Sequence, residues 1–104
     1  MTEEPETIVT WTRDFCTAIE AGGRSLVGCL EYAAERQDDA RLVAALRGVI
    51  AVVAAGYPLS KATALQDGAF SSDYRTVVRY GEMYGELDAV LRRYVDRPEE
   101  LAPR

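Results

Sequence analysis

Histidine is absent from this 104-residue chain. With it go the usual general base for a serine or cysteine nucleophile and the commonest zinc ligand. Cysteine is scarce, at Cys16 and Cys29, and the two do not form the close pair that marks a zinc or redox site. Both fall among apolar residues of expected helices. They read as small buried thiols, as in a reducing cytoplasm. They also flank the turn at residues 21–24, so a meeting across the first hairpin is the weaker alternative. Long apolar runs are missing: the longest covers residues 49–55, far short of the roughly 20 residues that span a bilayer. No charged-then-apolar leader opens the sequence, so neither a membrane span nor a secretory signal is expected. Basic charge is not in surplus either. A net charge of −5 argues against a nucleic-acid partner, which needs a concentrated basic face.

What remains is enough apolar material for one core. Hydrophobic residues make up 48%, too many for a disordered chain. Much of the acidity sits at the ends, in Glu3, Glu4, Glu6, Glu99 and Glu100. The expected organisation is a polar tail over residues 1–7, one domain over 8–97, and a second tail over 98–104.

Helical periodicity runs throughout. Ile8, Trp11, Phe15, Ala18 and Ile19 mark a first helix, with Thr10 or Thr12 as candidate cap and Gly22 as terminator. Ser25 caps a second, striped by Leu26, Cys29, Leu30 and Ala33. Asp38 or Asp39 caps a third, with Leu42, Leu46, Val49, Ile50 and Val53 on its apolar face and Gly56 at its end. Leu59 and Ser60 open a short fourth helix, and Asp67-Gly68 makes a turn. Residues 71–73 cap a fifth, with Tyr74, Val77, Val78 and Gly81 on one face. Leu87, Val90, Leu91, Tyr94 and Val95 define a sixth, closed by Pro98. Short connections between these segments imply an all-α fold: a six-helix antiparallel bundle built from helical hairpins.

No set of side chains makes a convincing catalytic, cofactor or metal site. Glu82, Glu86 and Asp88 gather near Gly85, but their spacing matches no calcium loop. Glu86 and Asp88 are better explained as favourable charge at a helix start. Glu82 stands three residues from Arg79 and is a candidate partner for it. Since the turn itself does not need Glu82, a polar partner or subunit contact is the alternative. Tyr80 and Tyr84, four apart, share a face next to the Tyr74 stripe, and aromatic residues favour protein interfaces. Completing the rim of the core is the plainer role for each. Interaction candidates are therefore Arg79, Tyr80, Glu82 and Tyr84. In the stretch 81–87, GEMYGEL, Gly81 admits a neighbouring helix closely, Gly85 supplies a left-handed helix end, and Leu87 returns to the core.

Several of these stretches together resemble one family, the inner-membrane platform proteins of type II secretion and type IV pilus assembly, the F or PilC type. Residues 11–22, WTRDFCTAIEAG, resemble its aromatic-Thr-Arg-Gln-Leu…Ala-Gly opening. Residues 56–62, GYPLSKA, are similar to Gly-x-x-Leu-Ser-x-Ala. Phe70 stands where the family has Phe-Pro, and GEMYGEL resembles Gly-Glu-x-Ser-Gly-x-Leu. The order and spacing agree over roughly residues 9–96. The resemblance implies a six-helix cytoplasmic domain that is not an enzyme. It would contact the assembly ATPase and other inner-membrane platform components. Full-length members carry two such domains and membrane helices. The chain departs from the pattern at residues 21–26, AGGRSL, with one extra residue and no proline. It also departs at Ser71 and at Tyr84.

The function expected is thus a non-catalytic scaffold domain binding other assembly components and, as a homodimer, itself. The alternatives are an orphan soluble adaptor on the same scaffold and a small-ligand or metal-binding bundle.

Overall fold

A computed structural model describes residues 4–66 and 68–96. These form α1 (Glu6–Ala21), α2 (Leu26–Glu35), α3 (Ala40–Ala54), α4 (Leu59–Ala64), α5 (Ser72–Tyr84) and α6 (Leu87–Asp96), with no strand among the described residues. Asp67, Pro98 and the acidic Glu3, Glu99 and Glu100 lie outside them.

Local signals account for most of the boundaries. Ser25 Oγ accepts the Gly28 amide at 3.0 Å, Asp39 Oδ1 the Leu42 amide at 2.9 Å, and Ser71 Oγ the Tyr74 amide at 3.0 Å. Each side chain thereby satisfies a first-turn donor that the helix itself cannot. The β-branched residues of 49–53 stay helical inside α3, as the flanking periodicity requires.

Helix α1 differs from expectation at its start. It opens at Glu6, with Pro5 at the cap position, so Thr10 and Thr12 lie inside it and cap nothing. Thr12 is fully buried. Its hydroxyl contacts the Ile8 carbonyl at 2.7 Å and the Tyr74 hydroxyl at 2.6 Å. A threonine in a helix bonds back to the preceding turn in this way, and here the same group also satisfies a buried phenol. Leu26 also departs from expectation. It sits in the first turn of α2 and remains 36% exposed, because the core contacts of α2 begin one turn later at Cys29 and Leu30.

Each helix packs on its neighbours in sequence, and α6 returns to α1, so the six close a ring. Two ion pairs lie along the closing seam, Arg13–Asp96 at 2.8 Å and Arg92–Glu20 at 2.9 Å. Both are exposed, so each adds about 1 kcal/mol or less. The ring encloses one apolar cluster. Trp11 stacks on Phe15 at 5.3 Å, and Phe70 and Tyr74 tilt against it at 5.9 and 6.2 Å. Such pairs add about 0.5–1.5 kcal/mol each beyond the area they bury.

Closure of the ring also depends on Gly81. A Cβ there would stand 2.8 Å from the Leu87 Cα and 2.8 Å from Val90 Cγ2. One of those atoms is backbone, so the last two helices would have to separate to admit it. Gly81→Ala is expected to destabilise by about 1–3 kcal/mol, despite alanine's better helix propensity. Urea titration followed by circular dichroism measures it, and a midpoint at or above wild type would refute the close approach.

Candidate functional site

The start of α4 poses a local problem. Pro58 occupies its cap position and has no side-chain acceptor to offer. The first amides of the helix therefore need a partner from elsewhere. Glu82 supplies it from 23 residues away in sequence: Oε2 accepts the Leu59 amide at 2.6 Å, and Oε1 the Ser60 amide at 3.0 Å. One carboxylate thus holds two orphan donors in charge-assisted bonds, at the end of a helix that favours negative charge.

This arrangement joins the Gly56–Ala62 stretch to the Gly81–Leu87 stretch. The expected Arg79–Glu82 pair does not form: Arg79 is exposed, and neither ion pair found among the described residues includes it. The polar partner sought for Glu82 lies within its own chain.

The glycines on either side of Glu82 position it. Gly81 lets α6 approach. Gly85 takes the left-handed conformation, φ 68° and ψ 30°, that ends α5. The Gly81 carbonyl accepts from both the Gly85 amide and, at 2.8 Å, the Glu86 amide. The second bond is the six-to-one closure of a Schellman turn. The chain then enters α6, where Asp88 lies in the first turn and Leu87 packs against the core. Among the described residues, no three cysteine, aspartate or glutamate side chains converge on a cation-sized space.

Around this junction the surface is aromatic. Tyr80, Met83 and Tyr84 are 52%, 67% and 61% exposed, so none of them completes the core. The rings of Tyr80 and Tyr84 meet at 4.6 Å between centroids, as their four-residue spacing predicts. Before α4, Tyr57 is half exposed with the Lys61 ammonium 4.6 Å above its ring. Tyr74, by contrast, is wholly buried.

The chain's thiols are poor nucleophiles. Cys16 and Cys29 are both free and buried. Burial pushes the Cys16 thiol up to about 12 and also raises Cys29. Cys16 Sγ lies 3.5 Å from the Asp88 carbonyl.

The comparisons with known proteins bear on this junction. The family described as type II secretion system protein F matches residues 11–102. The chain belongs to the type II secretion system protein F family. It is 35% identical over 88 residues to the type II secretion system protein F of Vibrio cholerae serotype O1 (strain ATCC 39315 / El Tor Inaba N16961). That alignment covers 85% of this chain and 21% of the relative, so the chain spans about a fifth of the protein F it matches. The Glu82 contact links two stretches by which the chain resembles that family. None of its helices among the described residues is long and apolar enough to cross a membrane.

Two outcomes are expected. Glu82→Gln keeps shape and removes charge, and Glu82→Ala removes the cap. The alanine variant should lose about 1–2 kcal/mol, with faster amide exchange at Leu59 and Ser60, and the glutamine variant should lose less. Unchanged exchange at those amides would refute the cap. Separately, the raised Cys16 thiol acts in the direction of alkaline destabilisation. Between the ordinary thiol range near 9 and about 12, the unfolded chain releases a proton that the folded chain retains. Its contribution to stability is therefore complete below pH 9 and is lost as pH rises toward 12. The buried phenols of Tyr74 and Tyr94, raised by burial first, act in the same direction. Urea midpoints measured from pH 8 upward should fall.

Proposed function

We propose that this domain is a non-catalytic docking module of a secretion or pilus assembly platform. It works at the cytoplasmic face of the inner membrane and binds other platform components, the assembly ATPase among them, as well as a second copy of itself. The family match over residues 11–102 carries the reading. Three features support it. The chain has no histidine, its thiols are buried and held protonated, and three of the six exposed large apolar side chains among the described residues, Tyr80, Met83 and Tyr84, cluster at the C-terminal end of α5. Aromatic and methionine side chains of this kind are enriched at interfaces, and a two-fold dimer is the commonest homo-oligomer.

In this reading the Glu82 contact is internal scaffolding. It fixes the relation of α4 to α5, while Tyr80, Met83 and Tyr84 face the partner. Arg79, on the same exposed turn, supplies charge at the rim of that surface.

Sedimentation velocity across a concentration series tests the self-association arm. The wild-type chain should move toward dimer as concentration rises. Tyr80→Ser/Tyr84→Ser should weaken association by at least about tenfold with an unchanged circular dichroism spectrum. A wild-type chain that stays monomeric at millimolar concentration would remove the dimer. Failure of the domain to bind the purified assembly ATPase of its own secretion system would remove that partner.

A further inference from the structure

In a ring of helices packed in chain order, every junction but one is bridged by a connecting loop. The unbridged junction is the seam where α6 meets α1. It is the place where the ring opens without straining a loop. The two ion pairs along it, Arg13–Asp96 and Arg92–Glu20, are exposed, so water competes for both. Of its two sides, α1 has 16 residues and carries the stacked Trp11 and Phe15, whereas α6 has 10. Helix α6 is therefore the side that is easier to release.

A different kind of contact closes one end of this seam. Glu4 falls in a stretch expected as a polar tail, yet it is half-buried, while Pro5, Glu6 and Thr7 are exposed. One oxygen of its carboxylate, Oε2, accepts the Ser71 hydroxyl at 2.5 Å and the Tyr94 hydroxyl at 2.6 Å. Ser71 receives the Tyr74 amide on a lone pair, so its proton is free to go to Glu4. Tyr94 is buried on the inner side of α6. Burial first, and then the bond to Glu4, raise its phenol, so it remains a donor. No cation shares the load. Glu4 is in neither ion pair found among the described residues, and Arg75 donates to the Ser71 carbonyl at 3.4 Å instead. Hydrogen bonds to a charged group are about twice as strong as neutral ones, and these two are better shielded from water than the ion pairs.

We infer that the α1–α6 seam is a conformational device, opening by release of α6 ahead of the rest of the bundle, and that Glu4 is its latch. The bond to Ser71 holds Glu4 at the start of α5, and the bond to Tyr94 is the one that breaks when α6 leaves. Of residues 4–7, Glu4 alone is drawn in from the surface, so the segment ahead of α1 acts on the seam through one side chain. Displacing that segment loosens α6 without touching it. The device goes beyond the docking role proposed above and needs no partner, so the chain alone tests it.

Native-state amide exchange of the full chain, followed across urea concentrations below the unfolding transition, separates local from global opening. Amides of α6 should exchange through an opening easier than that of α2 and α3. Its urea dependence should be smaller, because it exposes less surface. Glu4→Ala should speed α6 exchange in the absence of urea by about tenfold. Tyr94→Phe keeps the ring and removes the hydroxyl, and it should act in the same direction. The two together should give less than the product of their separate effects, since they break one shared bond. Glu6→Ala, at an exposed neighbouring position, should leave α6 exchange as in wild type. Merging of α6 with α2 and α3 at every urea concentration overturns the device. Unchanged α6 exchange in Glu4→Ala, or equal acceleration in Glu6→Ala, overturns the latch.

Discussion

The carboxylate of Glu82 is the contact on which the arrangement of the second half of the chain depends. A six-residue helix that begins at a proline has little to hold it in place. Its nucleation is unfavourable, and its local cap is missing. By accepting the Leu59 and Ser60 amides, Glu82 ties the start of α4 to the last turn of α5. Leu59, Ala62 and Thr63 are then buried on the inner side of α4. A polar contact at the rim thus sets which side of a short helix turns inward.

The two glycines around Glu82 follow from the same requirement. Gly81 removes the side chain that would hold α6 away, and Gly85 reverses the chain with the left-handed residue that only glycine adopts cheaply. Between them, Glu82 is presented at the last turn of α5 while α6 folds back to meet α1. The added cost of two glycines, roughly 1 kcal/mol each in a helix interior, falls on Gly81 alone, since Gly85 lies at the helix end. The apolar surface that α6 buries by packing over Gly81 offsets it.

The parts of this fold legible in the sequence are those whose physics is local. Apolar stripes at helical spacing, and caps at Ser25, Asp39 and Ser71, depend on residues a turn or two apart, so they were visible in one dimension. The left-handed Gly85 and the close-approach role of Gly81 were legible for the same reason, as was the pairing of Tyr80 with Tyr84. Roles that depend on a distant partner were not. Thr12 resembles a cap until Tyr74 is brought to its hydroxyl. By spacing alone Glu82 is a partner for Arg79, until α4 arrives with unsatisfied amides. The one available signal was the proline at position 58, which leaves a helix start without a local acceptor and so calls for a remote one. Leu26 fits the stripe of α2, but a first-turn residue extends beyond the neighbouring helix. Two arginines approach the Tyr32 ring, Arg36 from helical spacing within α2 and Arg24 only through the shape of the preceding turn, so one contact was legible and the other was not.

The indole of Trp11 has a consequence of a different kind. It is completely enclosed, and its Nε1–H meets no acceptor among the described residues. It is also the chain's lone tryptophan. Its fluorescence therefore arises from one site, at the centre of the helical ring and shielded from solvent quenchers. Emission colour and iodide accessibility then report on the interior alone, so any treatment that loosens the bundle can be told apart optically from one that alters only its surface.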